Sequence, residues 1–221
     1  MIITLDLETI PVQDESLIEI LQQNIKPNGN CKTQEAKDKS IATQLVERVP
    51  KTSFNGLYGS ICVIGYSFGD EPVKSLTDAN GGEVAMLERF FIDVNEHCGL
   101  SKPIWVGHNH VQFDLPFLLK RCIINNVDPG IYLPRNPKPW DRYVFDTYTE
   151  MGGGSLDALC KIMGLTGKTE GMDGSMVSQY YKEGRIDEIA SYCRNDVEAT
   201  RDLYKRINFL DTVVPAERED Y

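Results

Sequence analysis

The chain has 221 residues, of which 41% are hydrophobic and 25% charged, as is usual for a globular protein with a full core. No apolar run approaches the roughly 20 residues of a membrane-spanning helix, and the N-terminus lacks a signal peptide's basic segment. The net charge of −10 disfavours a protein that grips long nucleic-acid duplexes over its whole surface.

The first ten residues, MIITLDLETI, are predicted to form a buried strand. Side chains alternate along a strand, so Asp6 and Glu8 should lie on the same face. Two buried carboxylates are costly unless they are compensated, and a hard divalent cation such as Mg²⁺ or Mn²⁺ is the simplest compensation. The alternative is that one carboxylate caps a turn and the other is solvated at the strand end.

Residues 11–55 are predicted to form a helical insertion that packs on the core. Its helices should cover residues 14–25 and 33–49, with a turn at residues 27–30. The sequence leaves open whether this insertion clamps nucleic acid or only pads the core.

The remaining elements alternate between strands and helices before the chain becomes helical. Strands are predicted at residues 61–68, 73–76, 104–106 and 143–145, the first two as a hairpin. Helices are predicted at residues 81–95, 115–125, 155–163, 175–182 and 186–208. This order predicts an α/β fold, a mixed sheet covered by helices.

Two later positions carry further acidic groups. Asp114 lies in GHNHVQFDLP, where a strand passes into a helix, and a helix cap is a strong alternative interpretation there. Tyr192 and Asp196 are four residues apart on a helix and share one face. Taken alone, that pair is more simply interpreted as a Tyr at the core edge and an exposed Asp.

The combination is more specific than its parts. D-x-E on the first strand, GHN-x(4)-D at a strand-to-helix junction and Y-x(3)-D on a late helix resemble the DEDDy branch of the proofreading 3′–5′ exonucleases, which have a ribonuclease-H-like fold. The sequence is most similar to stand-alone bacterial proteins related to the exonuclease domain of family-B DNA polymerases. GMDGSMV at residues 171–177 strengthens this resemblance, as do the stretches 180–181 and 184–187. Ser191 stands where the sibling DEDDh branch would have a His.

The resemblance implies a five-stranded sheet and a set of site residues. Asp6, Glu8, Asp114 and Asp196 would hold two Mg²⁺ or Mn²⁺ ions, with Asp6 as the bridging ligand, and Tyr192 would orient the attacking water. These five residues are the catalytic candidates.

Substrate-binding candidates are less specific. Thr9 and Ile10 follow the first carboxylates and are expected to meet the terminal nucleotide, whereas Asn109 either positions the substrate or fixes its own loop. His108 and His110 are expected to be hydrogen-bonding loop residues. A loop that carries Arg135, Lys138, Trp140 and Arg142 would suit a single strand, although an ordinary surface loop is the simpler interpretation. The sequence does not decide whether Asp146 supports the ligands.

The expected function is a metal-dependent 3′–5′ exonuclease that releases nucleoside 5′-monophosphates from the 3′ end of single-stranded DNA. We expect residues 1–221 to form one cytoplasmic exonuclease domain with residues 11–55 as its insertion. Scattered cysteines without a metal-binding spacing fit a reducing compartment. Proofreading would require a polymerase or repair partner in trans.

Two alternatives stay open: an exonuclease for RNA or short oligonucleotides, and a catalytically silent nucleic-acid-binding module. The silent module should have lost one of the four carboxylates, and none is missing.

Overall fold

A computed structural model of the protein describes residues 1–167 and 172–210. Its sheet has five strands in the order β3-β2-β1-β4-β5. The strands are β1 (Ile2–Ile10), β2 (Ser60–Phe68), β3 (Lys74–Thr77), β4 (Ile104–Gly107) and β5 (Val144–Asp146). β2 runs antiparallel to β1 and β3, whereas β4 and β5 run parallel to β1. The predicted mixed sheet and its hairpin are confirmed.

The helices lie close to their predicted positions. They are α1 (Glu15–Gln23), α2 (Gln34–Arg48), α3 (Gly82–Cys98), α4 (Asp114–Ile124), α5 (Thr147–Glu150), α6 (Leu156–Met163), α7 (Val177–Lys182) and α8 (Ile186–Ile207). Asp14, Thr33 and Ser155 cap α1, α2 and α6 with their side-chain oxygens. The 3₁₀ turns at Pro50–Phe54 and Gly174–Met176, and the single-turn α5, are too short for a periodic signal. Among the described residues, no helix is long and apolar enough to cross a membrane.

The two faces of β1 serve different purposes. Ile3, Leu5 and Leu7 are at most 4% exposed and join the main core, where helices α3 and α4 contribute most of the other side chains. Asp6 and Glu8 alternate with them and face α8 instead. The strand thus anchors the core with one face and presents its carboxylates with the other.

The predicted carboxylates Asp6 and Glu8 lie where the parallel part of the sheet ends. β4 pairs with β1 only from Ile2 to Thr4, so the second half of β1 has no strand neighbour on that side. The loops that follow β4 and β5 occupy the space beyond the ends of these strands. Clefts of α/β folds typically form at such carboxyl ends of parallel strands.

Candidate active site

Asp6 and Glu8 form a compact cluster with Cys193 of α8. One ligand atom from each of the three residues lies within 4.8 Å of the other two. Glu8 is 7% exposed and Cys193 is fully buried. The prediction that the two carboxylates share a face is therefore confirmed.

A glycine allows α8 to approach the carboxylate strand this closely. Gly65 of β2 is paired with Asp6, and a Cβ at Gly65 would lie 2.7 Å from the Cys193 sulfur. The Cys193 thiol lies 3.3 Å from Oδ2 of Asp6 and 3.5 Å from its backbone oxygen, and it donates to these acceptors. Burial and the charge of Asp6 raise the pKa of this thiol well above its usual value, so the thiol remains a donor.

Tyr192 and Asp196 lie one turn apart on α8, as predicted from their spacing, and are 5% and 6% exposed. Burial raises the pKa of the Tyr192 hydroxyl strongly, and the nearby charges of Asp196 and Glu8 raise it further. A hydrogen bond with Asp196 also contributes. The phenol is therefore a protonated donor beside the carboxylates and not a base.

Asp114 contacts the same strand from its other edge. It is the first residue of α4 and does not cap the helix, which starts after Phe113 without a side-chain cap. Its Oδ1 accepts a 3.0 Å hydrogen bond from the backbone N–H of Leu7, beyond the point where β4 stops pairing. Asp114 thus meets the backbone between Asp6 and Glu8. Burial raises the pKa of its carboxyl to about 7, although the Leu7 bond lowers it.

Asp146 organises the loop between β4 and α4. Its carboxylate accepts hydrogen bonds from the backbone N–H groups of Asn109 (2.8 Å), Val111 (3.0 Å) and Tyr148 (3.0 Å), and the residue is 1% exposed. Asn109 adopts a left-handed φ of 61°, which Asn tolerates better than most residues. Asp146 therefore fixes the loop that leads to Asp114.

An open cleft joins these groups to solvent. Its lining consists of Asp6, His108, Asn109, Tyr148, Gly154, Ser155, Leu156 and Asp196. The wall from Tyr148 to Leu156 was not predicted from the sequence. A possible signal was the run Gly152–Gly154, in which all three φ angles are positive, from 71° to 109°.

The three predicted substrate-binding residues lie in different parts of the structure. Asn109 lines the cleft. The Thr9 hydroxyl donates to the Ser53 carbonyl at 2.7 Å. Ile10 is 2% exposed and packs in a core cluster with residues of α7 and α8, so its side chain does not reach the cleft.

The two loop histidines behave differently. His108 forms hydrogen bonds with Thr147 (2.9 Å) and the Gly154 carbonyl (3.1 Å), as expected of a loop residue. The same expectation is wrong for His110, which is fully buried, and neither of its ring nitrogens has a hydrogen-bond partner among the described residues. Burial lowers its pKa to about 4, which keeps the ring neutral.

The loop that carries Arg135, Lys138, Trp140 and Arg142 lies at the other end of the sheet from the carboxylates. Its exposed Trp140 and Arg142 precede β5, and the next residue, Tyr143, accepts from the N–H of Trp105 near the start of β4. The loop is therefore at the amino ends of the parallel strands, opposite the carboxylates.

The donor set fits a hard divalent cation. Asp6 and Glu8 supply neighbouring carboxylate oxygens, Asp196 lines the same cleft as Asp6, and Asp114 meets the backbone between the first two. Asp6 and Glu8 of β1 thus lie near Tyr192 and Asp196 of α8, and Asp114 of α4 reaches the same strand at the Leu7 backbone. Cys193 was not predicted, because a cysteine between Tyr192 and Asp196 resembles any buried helix residue.

Comparisons with known proteins agree with the fold. A family model described as a predicted 3′–5′ exonuclease related to the exonuclease domain of PolB matches residues 57–221, which include Asp114, Tyr192 and Asp196. The structure of the family B DNA polymerase from the hyperthermophilic archaeon Pyrobaculum calidifontis is similar over 94% of this chain, with a TM-score of 0.62 and 15% identity. The chain spans 24% of that polymerase, and such identity supports a shared fold alone. No curated protein matches the sequence.

Substitution of Gly65 by Ala should destabilise the protein, because the new methyl group would overlap the Cys193 sulfur and lie 3.0 Å from Val197. We expect a loss of about 1–3 kcal/mol in the free energy of unfolding, measured by urea denaturation. Gly174→Ala is the matched control, because a Cβ there meets no atom within 4 Å. Equal stability of the two variants would contradict the close approach of α8.

The metal-free protein should lose stability as the pH rises from about 4 to 7. The pKa of Asp114 is higher in the folded chain, about 7, than its ordinary 3.8, so the folded state binds the proton more tightly and gains stability at low pH. Asp114→Asn keeps an acceptor for Leu7 and should reduce this loss by on the order of 2 kcal/mol. The free energy of unfolding of both proteins is measured by urea denaturation in EDTA at several pH values. Identical pH dependence of both proteins would refute the buried, protonated Asp114.

Proposed function

We propose that this chain, which belongs to the family of predicted 3′–5′ exonucleases related to the exonuclease domain of PolB, removes nucleoside 5′-monophosphates from the 3′ end of single-stranded DNA. The observation that carries the proposal is the cluster of Asp6 and Glu8 beside Tyr192 and Asp196 of α8, at an open cleft. A structural role alone does not account for acidic groups gathered from separate elements at such a cost.

In this proposal Asp6, Glu8, Asp114 and Asp196 hold two Mg²⁺ or Mn²⁺ ions. The bound ions would activate the attacking water and stabilise the departing 3′-oxygen. The protein contributes the arrangement of the ligands. Leu7 N–H holds Asp114, and the Cys193 thiol holds one oxygen of Asp6.

Tyr192 is proposed to orient the attacking water as a hydrogen-bond donor. Its raised pKa keeps the hydroxyl protonated at neutral pH, so it does not remove a proton from the water. Asn109 and Tyr148 line the cleft beside Asp6 and are proposed to contact the terminal nucleotide. Tyr148 is 41% exposed and offers a ring on which a base can stack.

The proposal treats the chain as one exonuclease unit with residues 11–55 as an insertion. Proofreading would then depend on a polymerase or repair partner in trans. We also assign the enzyme to the cytoplasm, with its six free cysteines as support.

The decisive test is digestion of 5′-labelled single-stranded DNA and RNA of the same sequence, with Mg²⁺, Mn²⁺ or EDTA. We expect stepwise shortening of the DNA from its 3′ end, and Asp6→Asn and Asp196→Asn should each lower the rate by about 10³-fold or more. Glu198→Gln, which removes an exposed charge from the same helix, is the control and should retain full activity. Preferred digestion of RNA would show that RNA and not DNA is the substrate. Cleavage that persists in EDTA would overturn the metal-dependent mechanism.

Tyr192→Phe should slow the reaction without weakening metal binding, because it removes a hydrogen-bond donor and leaves all carboxylates. We expect kcat to fall about 10²-fold with a small change in KM. Single-turnover digestion gives the rate, and calorimetric titration with Mn²⁺ gives the affinity. A parallel loss of Mn²⁺ affinity would contradict the assignment of Tyr192 to the water.

A further inference from the structure

Within the insertion, residues 26–51 carry a net positive charge, whereas residues 11–25 contain three acidic residues and no cation. We refer to residues 26–51 as the basic segment. Its cations are Lys26, Lys32, Lys37, Lys39, Arg48 and Lys51. Three acidic residues oppose these six, so the segment has a net charge of +3, whereas the remaining 17 cations and 30 acids give −13.

None of these cations forms an ion pair with the described residues, although Arg48 donates a hydrogen bond to Oε1 of Gln44 at 3.1 Å. Five of the six are exposed, and Lys37 is partly exposed. In residues 1–167 and 172–210, every ion pair takes its cation from outside the basic segment. Elsewhere, Arg121 forms a buried pair with Glu83 at 2.6 Å, and Lys161 pairs with Asp157 at 2.8 Å.

The helix in this segment does not fill the core either. α2 has 15 residues, and none of them is buried. α1, in contrast, buries Leu21, and Ile25 after it is 4% exposed. Ile41 and Leu45 are half-buried on one side of α2, whereas Lys39 and Arg48 are exposed to solvent.

The basic segment is attached beside the carboxylate cluster. α2 leads into the Pro50–Phe54 turn, which two hydrogen bonds hold to the end of β1 and the residues after it. The Thr9 hydroxyl donates to the Ser53 carbonyl at 2.7 Å, and the N–H of Val12 donates to the Thr52 hydroxyl at 2.9 Å. Thr9 directly follows Glu8, and Lys51 is two residues from Ser53.

We propose that the basic segment binds the phosphate backbone of a single nucleic-acid strand whose 3′ end lies in the cleft. This inference rests on the proposed function and extends it to the part of the substrate upstream of the cleaved bond. Phosphates are repelled by the net charge of −10 of the whole chain and attracted by the basic segment, whose net charge is +3 and whose cations are exposed or partly exposed. The segment thereby raises affinity for strands long enough to reach it.

The test compares two triple variants of the full chain, each in an Asp6→Asn background that does not digest the probe. Lys39→Gln, Arg48→Gln and Lys51→Gln remove exposed cations of the basic segment. Lys102→Gln, Arg142→Gln and Lys138→Gln remove the same charge from exposed residues near the amino ends of β4 and β5. Fluorescence anisotropy of a 5′-labelled 20-nucleotide DNA strand is measured at several salt concentrations with Ca²⁺.

We expect the basic-segment variant to bind the strand about 10-fold more weakly and its salt slope to fall by about 2, since each phosphate contact contributes about 0.7. The control variant should bind as its Asp6→Asn parent does. With Asp6 restored, the basic-segment variant should cleave a trinucleotide at the unaltered rate.

Equal losses in both triple variants would show a general effect of net charge and overturn the proposal. Slower cleavage of the trinucleotide would also overturn it, because the segment would then shape the cleft. Stronger binding of a 20-base-pair duplex or of polyglutamate than of the single strand would assign the segment to a different partner. A chain that binds the strand through the segment yet digests no nucleic acid would contradict the proposed nuclease and leave this inference intact.

Discussion

The structure depends on holding Asp6 and Glu8 side by side on the central strand, where their like charges repel and one of them is nearly buried. Two side-chain donors of α8 lie beside the pair. The Cys193 thiol contacts Asp6, and Tyr192 carries a protonated hydroxyl beside both carboxylates. Such neutral donors reduce the repulsion without cancelling the charge, so the arrangement favours a bound cation.

Backbone geometry makes this arrangement possible. β4 stops pairing with β1 at Thr4, and the freed Leu7 N–H becomes the donor that Asp114 accepts. Asp146 satisfies three backbone N–H groups around the neighbouring loop, each of which would cost about 1–3 kcal/mol if it were buried without a partner. Gly65 provides the space in which α8 approaches the strand. Hydrogen bonds and close packing thus fix Asp6 and Asp114, and such preorganisation is what the proposed metal centre would require.

Local sequence patterns predicted the strands and longer helices because hydrophobic periodicity and capping residues are local properties, as Thr33 at the start of α2 illustrates. Contacts between residues that are far apart in the sequence could not be predicted from such local patterns. The bond between Asp114 and Leu7 joins residues 107 positions apart, and Asp114 taken alone resembled a helix cap until its motif was combined with the other two. Cys193 is 187 positions from Asp6 and resembled a core residue. Ile10 follows the carboxylates in sequence, yet its side chain packs into the core, because strand geometry and not sequence distance decides what reaches the cleft.

The central claim is that this cluster exists to bind divalent cations, and a direct count of bound Mn²⁺ tests it. Electron paramagnetic resonance of free Mn²⁺, titrated into the metal-free protein, gives the number of ions bound without reference to activity. The account predicts two bound ions in the natural chain and a loss of both sites in Asp6→Asn, since Asp6 is the proposed bridging ligand. Unchanged Mn²⁺ binding after this substitution would show that the carboxylate pair on β1 does not hold the metal, and the proposed centre would have to be abandoned.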